Sequence, residues 1–200
     1  MARLRQASVA ALAGVCASLC AAASPALAAH HAAHHRAHTA WVCTNTQLRP
    51  TPWNLPAVRA ATRCLVNRER VSRGERALTS SPLLERAAQS HTESMAFGDY
   101  FAHVGPGGDT PMARIRAAGY LYNAHVSIEV GENIAWGTLW LASPRAIVSA
   151  WMTSPEHRAN ILDPQFRSTA IGVSTHLSSS LGGGQSGAIY TEDFGSIPSR

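Results

Sequence analysis

Apolar positions along the chain recur at two periods. In residues 57–74, "AVRAATRCLVNRERVSRG", Val58, Ala61, Cys64/Leu65 and Val71 fall near helical spacing, and Gly74 follows the last of them. That pattern predicts an amphipathic helix. Four further helix starts share one signature: Ser81-Pro82, Thr110-Pro111, Ser143-Pro144 and Ser154-Pro155. Each puts a hydroxyl where an N-cap accepts an orphan N–H, and a proline where the helix needs no donor. The Pro82 helix is expected to bury Leu84, Ala88, His91 and Met95 and to stop near Gly98. The Pro111 helix is expected to end at Gly119. The Pro144 helix carries Ile147, Val148 and Trp151, and Asp163-Pro164 cuts the Pro155 helix short. Strand-like runs come late. "TAIGVSTHL" and "GAIYTEDFG" flank a Gly/Ser-rich segment and predict a hairpin with a long, flexible turn; "NAHVSIEV", residues 123–130, reads as one more strand. Helices first and a hairpin last give an α+β class, with helices packed on a small, mainly antiparallel sheet.

The chain before Ala57 has a different texture. Arg3 and Arg5 precede an Ala-rich apolar stretch too short to favour a membrane span, and "ALA" at 26–28 has small residues suited to cleavage. Residues 1–28 therefore read as a secretory signal peptide, in preference to an uncleaved anchor or a lipoprotein leader. Residues 29–56 read as a linker and arm. "AHHAAHHRAHTA" holds five of the ten histidines and has no apolar face. His30, His31, His34 and His35 could hold transition metals loosely, but a polar spacer is the better reading. "QLRPTPWNLP" follows as an extended, proline-bearing arm. The folded domain is expected over 57–195, with 196–200 as a tail.

Losing the first 28 residues lowers the net charge from +5 to +3 and the cysteines from four to two, Cys43 and Cys64. One disulfide between them is the simplest outcome outside the cytoplasm; it would tie the arm to the first helix. A mildly basic chain without a Lys/Arg run or aromatic stripe gives no indication of nucleic-acid binding. No second hydrophobic span follows the leader, so the mature chain is expected to lack a transmembrane segment. Phosphate-loop, GxSxG and HExxH patterns are absent, and the glycines of 182–184 have neither a lysine nor a following helix.

Five histidines lie in the domain. His91, on an apolar helix face, reads as a core histidine with one hydrogen-bonded partner; His125 and His176 attract no role. His103 follows "DYFA" and precedes a turn-rich loop, Glu132 sits in "GENIAWG", and His157 opens the last short helix. Loops and helix starts are common seats of functional side chains. Two imidazoles and a carboxylate suit either a divalent cation, zinc above all, or a hydrogen-bonded acid/base cluster. Their gaps of 29 and 25 residues match no metal motif and favour neither.

The blocks "LVNRERVSRGERAL", "HTESMAFGDYFAHVGPGGDTPMARIRAAGY", "GENIAWG", "AWMTSPEHRANILDPQFRSTAIGV" and "YTEDFG" occur in the order found in secreted bacterial CAP-domain proteins. In this respect residues 57–195 resemble the superfamily of cysteine-rich secretory proteins, antigen 5 and pathogenesis-related 1. The resemblance implies an α-β-α sandwich with a central antiparallel sheet and an open cleft. It implies that His103, Glu132 and His157 meet in that cleft and can hold a divalent cation. Many eukaryotic members carry a second glutamate three residues after the tryptophan matched by Trp151; here that position is Ser154. The resemblance also implies an extracellular protein whose partners are small lipids or sterols, or cell-surface and host proteins. It favours a non-enzymatic binding module over a metal-dependent, protease-like hydrolase with Glu132 as its candidate catalytic group, and over a structural protein whose cleft is a relic.

Overall fold

The computed structural model describes residues 41–121 and 128–197. The signal peptide, the histidine tract and His125 lie outside the described residues. The elements run α1 (Leu55–Val71), β1 (Thr79–Ser80), α2 (Pro82–Gly98), α3 (Pro111–Ala117), β2 (Val130–Thr138), α4 (Pro144–Thr153), α5 (Pro155–Leu162), β3 (Ser168–Ser174), the single turn α6 (Ser179–Gly182) and β4 (Gly187–Gly195). α1 starts two residues ahead of the sequence reading, with Pro56 in its first turn. Ser81, Thr110 and Ser143 accept from Leu84, Ala113 and Ala146 N–H groups, as N-caps do. Ser154 stands at the fourth start without such a bond, so Pro155 alone marks that helix.

The sheet order is β1-β3-β4-β2; β1 runs parallel to β3, and the other pairs are antiparallel. The expected hairpin is present as β3 and β4, but α6 occupies its connection, which is therefore not a simple flexible turn. Helices cover both faces. Val58, Leu65, Ile147, Trp151 and Ile161 of α1, α4 and α5 pack with Ile171, Val173, Tyr190 and Phe194. On the other face Leu84 and Ala87 of α2 and Ile115 of α3 meet Ala170, while Met95 and Ala96 meet Ile134 and Ile189. α2 lies almost flush on β3: a Cβ on Gly172 would fall 2.4 Å from the Ala88 carbonyl oxygen. Beyond the short β1, Gln89 completes the edge, its amide accepting from Val173 N–H at 3.0 Å and donating to Val173 C=O at 3.2 Å.

β2 departs from the sequence reading. Of "NAHVSIEV" only Val130 belongs to it, and residues 122–127 lie outside the described residues. The strand is instead the "GENIAWG" block, to which the sequence reading assigns no element. It pairs with β4 continuously from Val130↔Gly195 to Thr138↔Gly187. Period-two patterning is hard to see there because both faces of the strand are covered by helices at its centre.

The arm is fastened at several points. Cys43 and Cys64 are disulfide-bonded, the Thr46 carbonyl accepts from Arg145 N–H at 2.8 Å, and Cys43, Leu48 and Leu55 pack on the core. The bridge spans 21 residues, a loop whose closure is worth on the order of 3 kcal/mol. Replacing both cysteines by serine is expected to lower unfolding free energy by about that amount in urea titrations, with the secondary-structure signal unchanged.

Candidate functional site

The site is organised by adjacent residues of β2. Glu132 and Asn133 point to opposite faces because successive strand side chains alternate. Glu132, 6% exposed, faces the α2 side. Its Oε1 accepts from His103 Nδ1 at 2.8 Å, and its Oε2 from Arg114 Nη2 at 2.6 Å. A carboxylate can only accept, so His103 carries its proton on Nδ1 and keeps Nε2 as the acceptor of a half-exposed ring. Arg114 also donates to the His103 carbonyl at 3.0 Å and the Asp109 carbonyl at 2.6 Å. One buried guanidinium thus fixes the carboxylate and the loop that delivers the histidine.

Below them lies His91, fully buried. Its Nε2 donates to the Ala102 carbonyl at 3.0 Å, and the same nitrogen lies 3.8 Å from Glu132 Oε1. The one-partner core reading holds, and the ring is also a wall of the site. Burial holds its proton affinity below the usual histidine value, despite the nearby Glu132 charge.

Asn133 faces the opposite helices. It donates to the His157 carbonyl at 3.2 Å and accepts from Asn160 at 2.9 Å, while Asn160 also donates to the Glu132 carbonyl at 3.2 Å. The far end of α5 is held by the buried Arg70, whose Nη1 donates to the Ile161 and Asp163 carbonyls at 2.6 and 2.9 Å. α5 is thereby clamped at both ends, and its first turn presents His157. Burial first, then the charge His103 carries when both its ring nitrogens are protonated, holds the His157 ring below its ordinary value; Glu156 partly opposes this. The two histidines therefore feel one another.

Three candidate residues are not marked by the sequence: Arg114 of α3, and the acids Glu192 and Asp193 of β4. Asp193 is the register partner of Glu132, and Glu192 that of Asn133. Both acids are fully buried. Burial, then the facing Glu132 charge, pushes Asp193 well above the carboxylate range. Burial pushes Glu192 up to about 8. Thr169 explains what the Glu192 proton does. Its single hydroxyl hydrogen faces two acceptors, the Asp193 carbonyl at 2.9 Å and Glu192 Oε1 at 3.1 Å; a protonated Glu192 donates to the hydroxyl and removes the conflict. Adjacent acids inside an otherwise apolar strand were the available signal.

The structure thus joins His103 directly to Glu132 and sets His157 nearby on a clamped helix. Both Glu132 oxygens and His103 Nδ1 are already engaged, and Arg114 puts a fixed positive charge against the carboxylate. Among the described residues no three His, Cys, Asp or Glu side chains are grouped to hold a metal ion. Ser154, where an acid would stand, supplies no ligand.

The fold, with helices on both faces of a four-stranded sheet, agrees with the comparisons. The model of the cysteine-rich secretory protein family, CAP, matches residues 64–184, and the chain belongs to that family. The Bacillus subtilis protein YkwD is 35% identical over 130 residues, covering 65% of this chain and 44% of its own length. An extracellular SCP-domain protein from Bacillus anthracis superposes with a TM-score of 0.56 at 23% identity, over 76% of this chain and 45% of that one. An outer surface protein from Borrelia burgdorferi does so with a TM-score of 0.53 at 19% identity, over 73% of this chain and 94% of that one. The chain spans less than half the length of the two Bacillus relatives.

Two outcomes follow. Arg114→Met should cost about 3–5 kcal/mol in chemical denaturation, because it leaves the Glu132 charge buried without its guanidinium. The second concerns pH. Glu192 is raised from 4.5 to about 8 on folding, so its stabilising contribution is whole below its unfolded value and is lost as pH rises toward 8. Asp193 acts in the same sense. His91 and His157, held below 6.5, lower stability only as pH falls beneath that value. From about pH 6.5 to 8 the melting temperature should fall with pH, by the equivalent of on the order of 1 kcal/mol per unit for one group, and Glu192→Gln should flatten that slope.

Proposed function

We propose that this protein is an extracellular, non-enzymatic binding module whose cleft, bounded by His103, Glu132 and His157, takes a small ligand through hydrogen bonds. The observation carrying the reading is the commitment of Glu132: both its oxygens are taken, by His103 and Arg114. Among the described residues no hydroxyl or thiol is hydrogen-bonded to the His103 or His157 ring. A preset carboxylate that orients a histidine, without a nucleophile beside it, supports recognition over turnover. The extracellular setting is supported by the leader-like first 28 residues, the disulfide and the extracellular and outer-surface relatives. Lipids, sterols and cell-surface or host proteins are the ligand classes to screen.

One feature favours hydrolysis as a second reading. His103, oriented through Nδ1 by a carboxylate with Nε2 free, has the form of a general base able to activate water. Retention of co-purifying lipid and cleavage of peptide and ester substrates should be measured for the parent chain and Glu132→Gln. Retention without cleavage, in both proteins, is the expected result. Cleavage lost in Glu132→Gln would replace the binding reading with the hydrolytic one. Zinc titration bears on the metal separately: His103→Ala and His157→Ala are expected to leave zinc affinity as in the parent, residual binding coming from the 30–38 histidines.

A further inference from the structure

The link between β2 and α4 holds apolar side chains in water. Residues Leu139–Ala142 form one 3-10 turn. Trp140 is 69% exposed, Leu141 47% and Leu139 41%, with Trp136 at 40% on the strand leading in. This is not a slack loop. Leu139 adopts φ 51, a left-handed conformation that costs a leucine about 1–2 kcal/mol, and its N–H donates to the Ser186 carbonyl at 2.8 Å. Gly137 lets the turn fold back, since a Cβ there would lie 2.4 Å from the Leu141 carbonyl oxygen. Ala142 is the anchor, buried, its carbonyl accepting from Tyr190 Oη at 2.7 Å. A strained, anchored turn that displays two tryptophans and two leucines marks a contact surface. Trp140 and Leu141 also wall an open groove of roughly 550 Å³ floored by Ala146 and Ala150 of α4.

The charge around it selects the partner. No aspartate or glutamate occurs from Met1 to Arg68, nor from Asn133 to Pro155. These stretches include the turn, α4 and the arm, which the Thr46–Arg145 backbone bond holds against the start of α4. Arg49 and Arg145 are exposed, and among the described residues neither has a carboxylate within ion-pair distance. A second copy of the chain would set these same arginines against each other with no acid between them. A glycan would want a dense set of convergent polar groups, whereas the groove offers only the three hydroxyls of Ser149, Thr153 and Ser154, with no amide, carboxylate or guanidinium among its lining. Indole rings at headgroup depth, leucines below them and guanidinium groups facing phosphates match an anionic bilayer surface.

We propose that the Trp136–Leu141 turn, with Arg145 and the acid-free arm beside it, docks this domain on an anionic lipid bilayer, independently of what the cleft binds. The test uses the chain from Ala29 onward, which contains every described element. Its sedimentation is measured with vesicles of phosphatidylglycerol and phosphatidylcholine, and with phosphatidylcholine alone. Binding to the anionic vesicles is expected, at least about tenfold weaker in W140S/L141S. R145E should weaken it further and reduce its salt dependence. Trp53→Ala, at a side chain 92% exposed on the arm, is the control for generic tryptophan partitioning and should change binding less than W140S/L141S does. All the altered side chains are exposed, and matching melting temperatures check that the variants fold. Equal vesicle binding by parent and W140S/L141S would overturn the proposal. So would an absence of vesicle binding, with or without Trp140-dependent sedimentation on isolated cell-wall glycan.

Discussion

Glu132 and Asn133 are neighbours on one strand, and the pleat sends them to opposite sides of the sheet. The rest of the site depends on that alternation. Glu132 gathers Arg114, and through it the His103 loop, on the α2 side. Asn133 gathers the start of α5, with His157, on the α4 side. Two helical layers that share few direct contacts are thus brought into register by two side chains with adjacent backbone positions. A slip of one residue in β2 would exchange the two faces and disconnect both histidines at once.

The interior that supports this arrangement is unusually polar. Glu132, Glu192, Asp193, Arg70, Arg114 and His91 are all buried. Burying a charge is costly unless it is paired, and the protein meets the cost in three ways. Glu132 and Arg114 pair directly. Arg70 spreads its charge over the Arg76, Ile161 and Asp163 carbonyls. Glu192, Asp193 and His91 are driven toward their neutral forms. The site therefore holds a buried carboxylate, fixed by Arg114, beside one oriented, half-exposed histidine.

Much of this was legible in advance. The serine–proline and threonine–proline pairs located four helices, because their meaning is local: a cap and a residue without an N–H act within one turn. The stripe of Leu84, Ala88, His91 and Met95 located the buried face of α2 for the same reason. His103, Glu132 and His157 were singled out by ordered blocks and not by spacing. The strand character of "GENIAWG" was hidden, because helices on both faces erase the alternation that marks a half-buried strand. Arg114 was hidden because nothing in "PMARIRAAGY" distinguishes an arginine that turns inward from the solvated Arg116 beside it.

By itself the sequence determined the α+β class, the helix starts, the pairing of Cys43 with Cys64 and the three residues to watch. Each of these rests on interactions within a few residues, on the scarcity of a residue type, or on the order of recognisable blocks. The tertiary structure alone decided what the watched residues do to one another. That Glu132 meets a guanidinium depends on the side chain that arrives from α3, eighteen positions earlier in the chain. Long-range packing made that choice: Arg114 took the second oxygen, Asp193 came to lie opposite, and the site became a hydrogen-bonded His–Glu–Arg cluster.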